Sequence, residues 1–188
     1  MEYDFNQCRD VLYGGLIKSL GANADRLRSL AKNDSYGVNA LSYDILPWHS
    51  FAALSFRATT DDYIMSHSGD YKLDIRYSPA DWKYCEFIDN GTLDQVREYT
   101  ASIYPQSGGT TGQEALHVIL LAAADALLDD EIGRLLHEYG FDDTIRRDKV
   151  PWGGFEYVVL DVDKAFKANY CEIVLANRVA NRLLGRVV

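Results

Sequence analysis

Asp161 and Asp163 stand two residues apart at the end of an apolar run, where strand geometry would turn both carboxylates to one side. Paired oxygen ligands of that kind suit a divalent cation. No third ligand is identifiable beside them, and one of the two serves more simply as the cap of a closing helix. The run Ser107 to Gly112 precedes another helical pattern, and free amides there could hold an anion. A phosphate loop would need a lysine at its end, yet Gln113 and Glu114 follow, and the glutamate would repel phosphate. That segment reads as a connector. His49, His67, His117 and His137 match no zinc spacing, and Cys8, Cys85 and Cys171 include no C-x-x-C pair. Cys8 and Cys85 fall on apolar faces, where an inert buried thiol is the default. No residue is assigned a catalytic role, no metal site is assigned beyond the Asp161–Asp163 alternative, and no cofactor is called for.

Recognition has better candidates. Trp48 and His49 sit in Leu46-Pro47-Trp48-His49, at a turn between two strand-like runs, with Asp44 before it and Asp61, Asp62 and Tyr63 after the second run. A turn-borne tryptophan either plugs the end of a core or stands as an anchor for a partner. His49 is the one histidine whose setting suggests recognition. These six residues form the candidate partner-binding set. Thirteen tyrosines add contact area of the type enriched at interfaces, although many must also serve the core.

The elements that must position these groups follow from periodicity. Asp4 followed by Gln7 resembles a capping box, and Phe5, Cys8, Leu12, Leu16 and Leu20 then recur at helical spacing. Gly14, Gly15 and Gly21 weaken that helix or admit another backbone closely. Ala24, Leu27 and Ala31 extend it or form a second piece ending near Asn33. Alternation over 38–45, a turn at Pro47 to Ser50 and a second run from Phe51 to Phe56 predict an antiparallel hairpin. Leu73, Ile75 and Tyr77 predict a third short strand. Ser78-Pro79-Ala80-Asp81 has the features of a helix start, which predicts a helix carrying Trp82, Cys85 and Ile88 on one side as far as Asn90-Gly91. A further helix is expected from Thr92 to Pro105. Residues 105–112 are the possible flexible connector, and Thr111 with Glu114 reads as a capping box for the helix beyond it. A break is expected at Asp129-Asp130 and a stop at Gly140. Phe155 to Val162 is expected to be an interior strand, with a closing helix led by Asp163 and carrying Phe166 and Tyr170. The order predicts one α+β domain over 1–188, with a mostly antiparallel sheet of about four strands covered by several helices.

At 188 residues the chain has the size of a single domain able to build its own core, without a metal or disulfide as a staple. Nineteen basic against 28 acidic residues give a net charge of −9. Such a field disfavours nucleic acid and anionic membrane surfaces as direct ligands and speeds encounter with cationic partners; it is also what solubility alone would select. The odd, scattered cysteines fit a reducing compartment. The N-terminus lacks the cationic and apolar regions of a signal peptide, and the apolar stretch around 118–128 is too short to span a bilayer. A cytoplasmic location is therefore expected.

Pro47-Trp48-His49 before the Ala52 to Phe56 strand, Arg76-Tyr77-Ser78-Pro79-Ala80-Asp81-Trp82, and the late Val158-Val159-Leu160-Asp161-Val162-Asp163 run together resemble the small domains encoded beside bacterial polymorphic toxins. Those domains are similar to immunity proteins. The resemblance covers about half of the chain, and it implies a cytoplasmic, non-catalytic antitoxin that occludes a cognate toxin. A basic toxin would be the natural partner of a chain this acidic. The alternative is a small-ligand or metal-dependent enzyme using Asp161, Asp163 and His49 around a pocket at the strand ends. A third reading is a self-associating structural subunit; the sequence does not fix the oligomeric state.

Overall fold

The computed structural model describes residues 3–33, 37–61, 78–105, 109–141, 155–161 and 168–185. Asp62, Tyr63, His67, the strand expected at Leu73 to Tyr77, Trp152, Asp163 and Phe166 lie outside these residues, as do 106–108 of the expected connector.

The chain opens with α1, Phe5–Ala22, which begins where expected: the Asp4 carboxylate accepts from the Gln7 amide at 3.0 Å. Its stripe of Cys8, Leu12, Leu16 and Leu20 is fully buried. Asn23 interrupts the helix, and α2 follows as Ala24–Asn33. Gly15 explains itself by packing. A Cβ there would overlap the Val96 side chain of a later helix, so only glycine allows this approach.

The hairpin forms as read. Strand β1, Val38–Leu46, pairs antiparallel with β2, Phe51–Ala58, with Leu41 opposite Phe56, Tyr43 opposite Leu54 and Asp44 opposite Ala53. Between them Pro47–His49 makes a 3-10 turn, closed by Ser50 in a left-handed conformation (φ 48°) whose amide donates to the Pro47 carbonyl.

The next segment corrects the sequence reading. Ser78-Pro79-Ala80-Asp81 starts only a single 3-10 turn, Pro79–Asp81, and Trp82 leaves it in an extended conformation. The chain then enters β3, Tyr84–Ile88, rather than a helix. Pro and Asp satisfy the start of any helical turn, but Tyr84, Phe87 and Ile88 favour a strand once sheet packing is offered. Trp82 is nevertheless buried, as expected of a core anchor. Strand β3 pairs antiparallel with β2, with a bulge: Phe56 faces Tyr84 and Leu54 faces Ile88, so four residue steps on β3 span two on β2. Glu86 sits in this bulge at φ 49°.

After a 3-10 turn at Gly91–Leu93, α3 runs Asp94–Ile103. Helix α4 is Gly109–Leu127, so Thr111 lies inside it and does not cap it, against the expectation. Asp129 caps α5, Asp130–Glu138, at the predicted break, and Gly140 follows its end at φ 100°. The late strand is shorter than expected and not interior. Strand β4, Glu156–Val158, lies at the edge of the sheet formed by the described residues, parallel to β1. Its apolar character instead serves the core on both sides of the sheet. Helix α6, Tyr170–Leu183, is capped by Asn169, not by Asp161 or Asp163.

The sheet order is β3-β2-β1-β4, with two antiparallel pairings and one parallel among the described residues, which makes it a mixed sheet in an α+β fold. Helices α1 and α4 pack together; α3 lies against α1, and α6 against α4. One sheet face, carrying Leu41, Tyr43, Ile45, Ala52, Leu54 and Phe56, joins the helices in the main core. The other face carries a small apolar cluster of Ala40, Trp82, Val158 and Leu160 beside a run of polar groups. Arg9 and Arg178 both meet Asp125, at 3.0 and 2.5 Å, and tie α1 and α6 to α4. No helix among the described residues is long and apolar enough to cross a membrane.

Candidate functional site

Strand alternation places Ser42 and Asp44 on the sheet face opposite the main core, and the hairpin register brings Ser55 across from Ser42. The Ser42 hydroxyl donates to Asp44 Oδ1 at 2.5 Å, and the Ser55 hydroxyl donates to Oδ2, also at 2.5 Å. Ser55 is itself fixed, since its Oγ accepts the Glu86 amide at 2.9 Å from the bulge in β3. The bulge thus orients the serine that holds the carboxylate. Burial pushes the Asp44 carboxyl from its ordinary 3.8 up to about 6; the two serine bonds pull it back, and the nearby Glu86 charge raises it further.

Beside Asp44 lies a cavity of about 170 Å³. Leu46, Phe51, Pro79 and Leu160 supply apolar wall, while Ser78, Cys85 and Glu86 bring polar groups. Glu86 and Asp81 are exposed near it. The same sheet face holds a second ionic group. Arg57, almost fully buried, pairs with Glu156 at 3.0 Å, donates to Asn39 Oδ1 at 3.0 Å and stacks over Trp82 at 5.6 Å. Its charge is thereby committed to Glu156. Among the described residues no basic side chain pairs with Asp44, whose partners are the two serines.

The thiol in this cavity is poorly suited to nucleophilic attack. Burial, then the Glu86 and Asp44 charges, raise the Cys85 pKa, which disfavours the thiolate. Cys8 is buried and raised to about 12 by desolvation. Chemically the site offers one carboxylate that is hydrogen-bonded but has no balancing cation among the described residues, in a pocket sized for a small group.

The residues singled out from the sequence are dispersed. Trp48 is partly buried against the main core, its ring 5.8 Å from Tyr104 at 52°, so it both plugs the helix side and borders the hairpin turn. His49 is exposed, 6.1 Å ring to ring from Trp48. Asp44 shares this end of the hairpin. Asp61 does not: it lies beyond the far end of β2, buried, and accepts from the Ala58 and Lys83 amides at 2.9 and 3.1 Å. Those bonds give Asp61 a structural task in the turn after β2. Asp161 is buried beside Tyr170, whose pKa is pushed up to about 12, first by burial and then by the Asp161 charge. No group of three potential metal ligands occurs among the described residues.

Sequence reasoning missed Ser42, Ser55 and Glu86. Two polar residues at i and i+2 in an otherwise apolar strand could have flagged Ser42 with Asp44. Ser55 needed the register, and Glu86 needed the bulge. No protein-family model matches this chain, and no curated protein or solved structure matches it significantly.

Proposed function

We propose that this chain is a non-catalytic binding protein of the immunity type, which holds and occludes a basic protein toxin. The observation that carries the reading is Asp44: a carboxylate without a cationic partner among the described residues, beside a cavity, with Glu86 and Asp81 exposed nearby. A partly buried carboxylate without an opposite charge costs stability, and a partner that supplies that charge recovers the cost on binding. The −9 net charge supports the same reading, because it steers a cationic protein toward the surface from beyond contact range. Trp48 and His49 at the adjoining turn supply aromatic surface for the contact.

Co-expression with the product of the adjacent gene tests this directly. Rescue of growth together with a stable 1:1 complex is expected. Growth arrest with no complex between the purified proteins would overturn the proposal.

A second reading has an observation of its own. A carboxyl held at about 6 in a cavity is suited to giving and taking a proton near neutral pH. An enzyme reading therefore centres on Asp44 rather than on Asp161 and Asp163. Turnover of a small molecule that disappears in Asp44→Asn would favour it over the binding reading.

A further inference from the structure

We infer that the cavity beside Asp44 is a receptor for one aliphatic ammonium group, the side chain of a lysine presented by a protein partner. The inference deepens the binding reading and rests on it for the source of the lysine.

Four features select this chemistry. The wall is mainly hydrocarbon, from Leu46, Phe51, Pro79 and Leu160, which suits a methylene stem. The polar end is anionic, with Asp44 inside and Glu86 beside it. The volume of about 170 Å³ is below the range of about 300–1,000 Å³ usual for drug-sized ligands, so the occupant is a small group. Each Asp44 oxygen already accepts one serine hydroxyl, which leaves limited acceptor capacity on each. A compact ammonium with three rotatable donors can use what remains. A guanidinium would bring five N–H groups in a rigid fork, more than this apolar-walled space can satisfy.

The opposing charge also has a counterexample on the same sheet face. Arg57 already has Glu156, so the fold balances one ion pair internally and leaves the other anion without a cation among the described residues.

The test uses the full chain and three probes followed by amide NMR: Nα-acetyl-lysine methylamide, its uncharged counterpart Nα-acetyl-norleucine methylamide, and cadaverine as a free amine. Saturable shifts centred on Leu46, Cys85 and Glu86 are expected with the lysine derivative, and none with the norleucine derivative. Asp44→Asn should weaken the lysine derivative on the order of tenfold, about 1.4 kcal/mol. Ala80→Phe, at an exposed position on the cavity lining, should abolish binding while leaving the fold and the Asp44 carboxyl in place. Equal binding of the lysine and norleucine derivatives, or undiminished binding in a folded Ala80→Phe protein, would overturn the inference. Cadaverine binding far more tightly than the lysine derivative would overturn the assignment to a partner's lysine. These outcomes concern the isolated chain, so failure here with rescue intact in the co-expression experiment would sink the lysine receptor and spare the binding reading.

Discussion

Asp44→Asn should change how stability depends on pH, and the size of the change follows from the site. In the unfolded chain the carboxyl titrates near its ordinary 3.8, whereas in the folded protein burial holds it at about 6. The folded state therefore binds this proton more tightly. Its contribution to stability is fully present below 3.8 and is lost as pH rises through 6. At about 1.4 kcal/mol for each tenfold step in proton affinity, the full loss is about 3 kcal/mol, of which roughly 2.4 kcal/mol falls between pH 4 and pH 7. Asparagine keeps the shape but cannot ionise. Groups remote from Asp44 contribute equally in both proteins and cancel in the difference. Urea unfolding of both proteins from pH 4 to pH 7 measures this difference without requiring either absolute value. The variant should gain roughly 2 kcal/mol on the wild type across that range, whatever the offset at pH 4. Parallel curves, within about 0.5 kcal/mol, would refute the claim that Asp44 is a partly buried carboxylate with no balancing cation among the described residues.

Other positions give independent checks. Gly15→Ala gains up to about 1 kcal/mol of helix propensity, but it drives a methyl into the stiff, buried Val96 side chain, and overpacking of about 1–3 kcal/mol should prevail. Thermal unfolding should show a lowered midpoint that Val96→Ala partly restores; a stabilised single variant would contradict the close approach. Asn169 caps α6 while bonding the Tyr157 carbonyl at 2.8 Å and the Val159 amide at 3.2 Å from inside the core. Asn169→Ala should therefore cost roughly 2–4 kcal/mol in denaturant unfolding, and a cost under about 0.5 kcal/mol would show these bonds to be dispensable. In the native protein at pH 8 a thiol reagent should label Cys85 slowly and leave buried Cys8 and Cys171 untouched until urea is added. Rapid labelling of Cys8 would contradict the packing of α1.

What the sequence made legible was set by how local each signal is. The Asp4 cap, the break at Asp129 and the turn at Pro47–His49 depend on neighbours within a few residues, and each is found where the residues place it. Ser78 to Ile88 went the other way because two periods coincide there. Trp82, Cys85 and Ile88 fit helical spacing, while Tyr84 to Ile88 fits a strand, and pairing with β2 decides between them. An apolar run alone predicts an interior strand near the end of the chain. Among the described residues it is an edge strand, and the side chains of 155–160 enter both the main core and the Trp82 cluster. The site followed the same rule. Nearness to Trp48 marks Asp44 in the sequence, whereas the features that distinguish it are Ser55, eleven residues away along the chain, and bulged Glu86, which only the folded sheet brings beside it. Asp61 shares its residue type with Asp44, yet its bonds to the Ala58 and Lys83 amides make it part of the turn.

The central claim is that an acidic surface around Asp44 binds a basic protein. Calorimetric titration of the purified chain with the product of the adjacent gene, at low and at high salt, tests it most directly. A 1:1 complex is expected, with an affinity that falls markedly as salt screens the steering charge and falls again in Asp44→Asn. Absence of binding at low salt, or binding indifferent to both salt and Asp44, would contradict it.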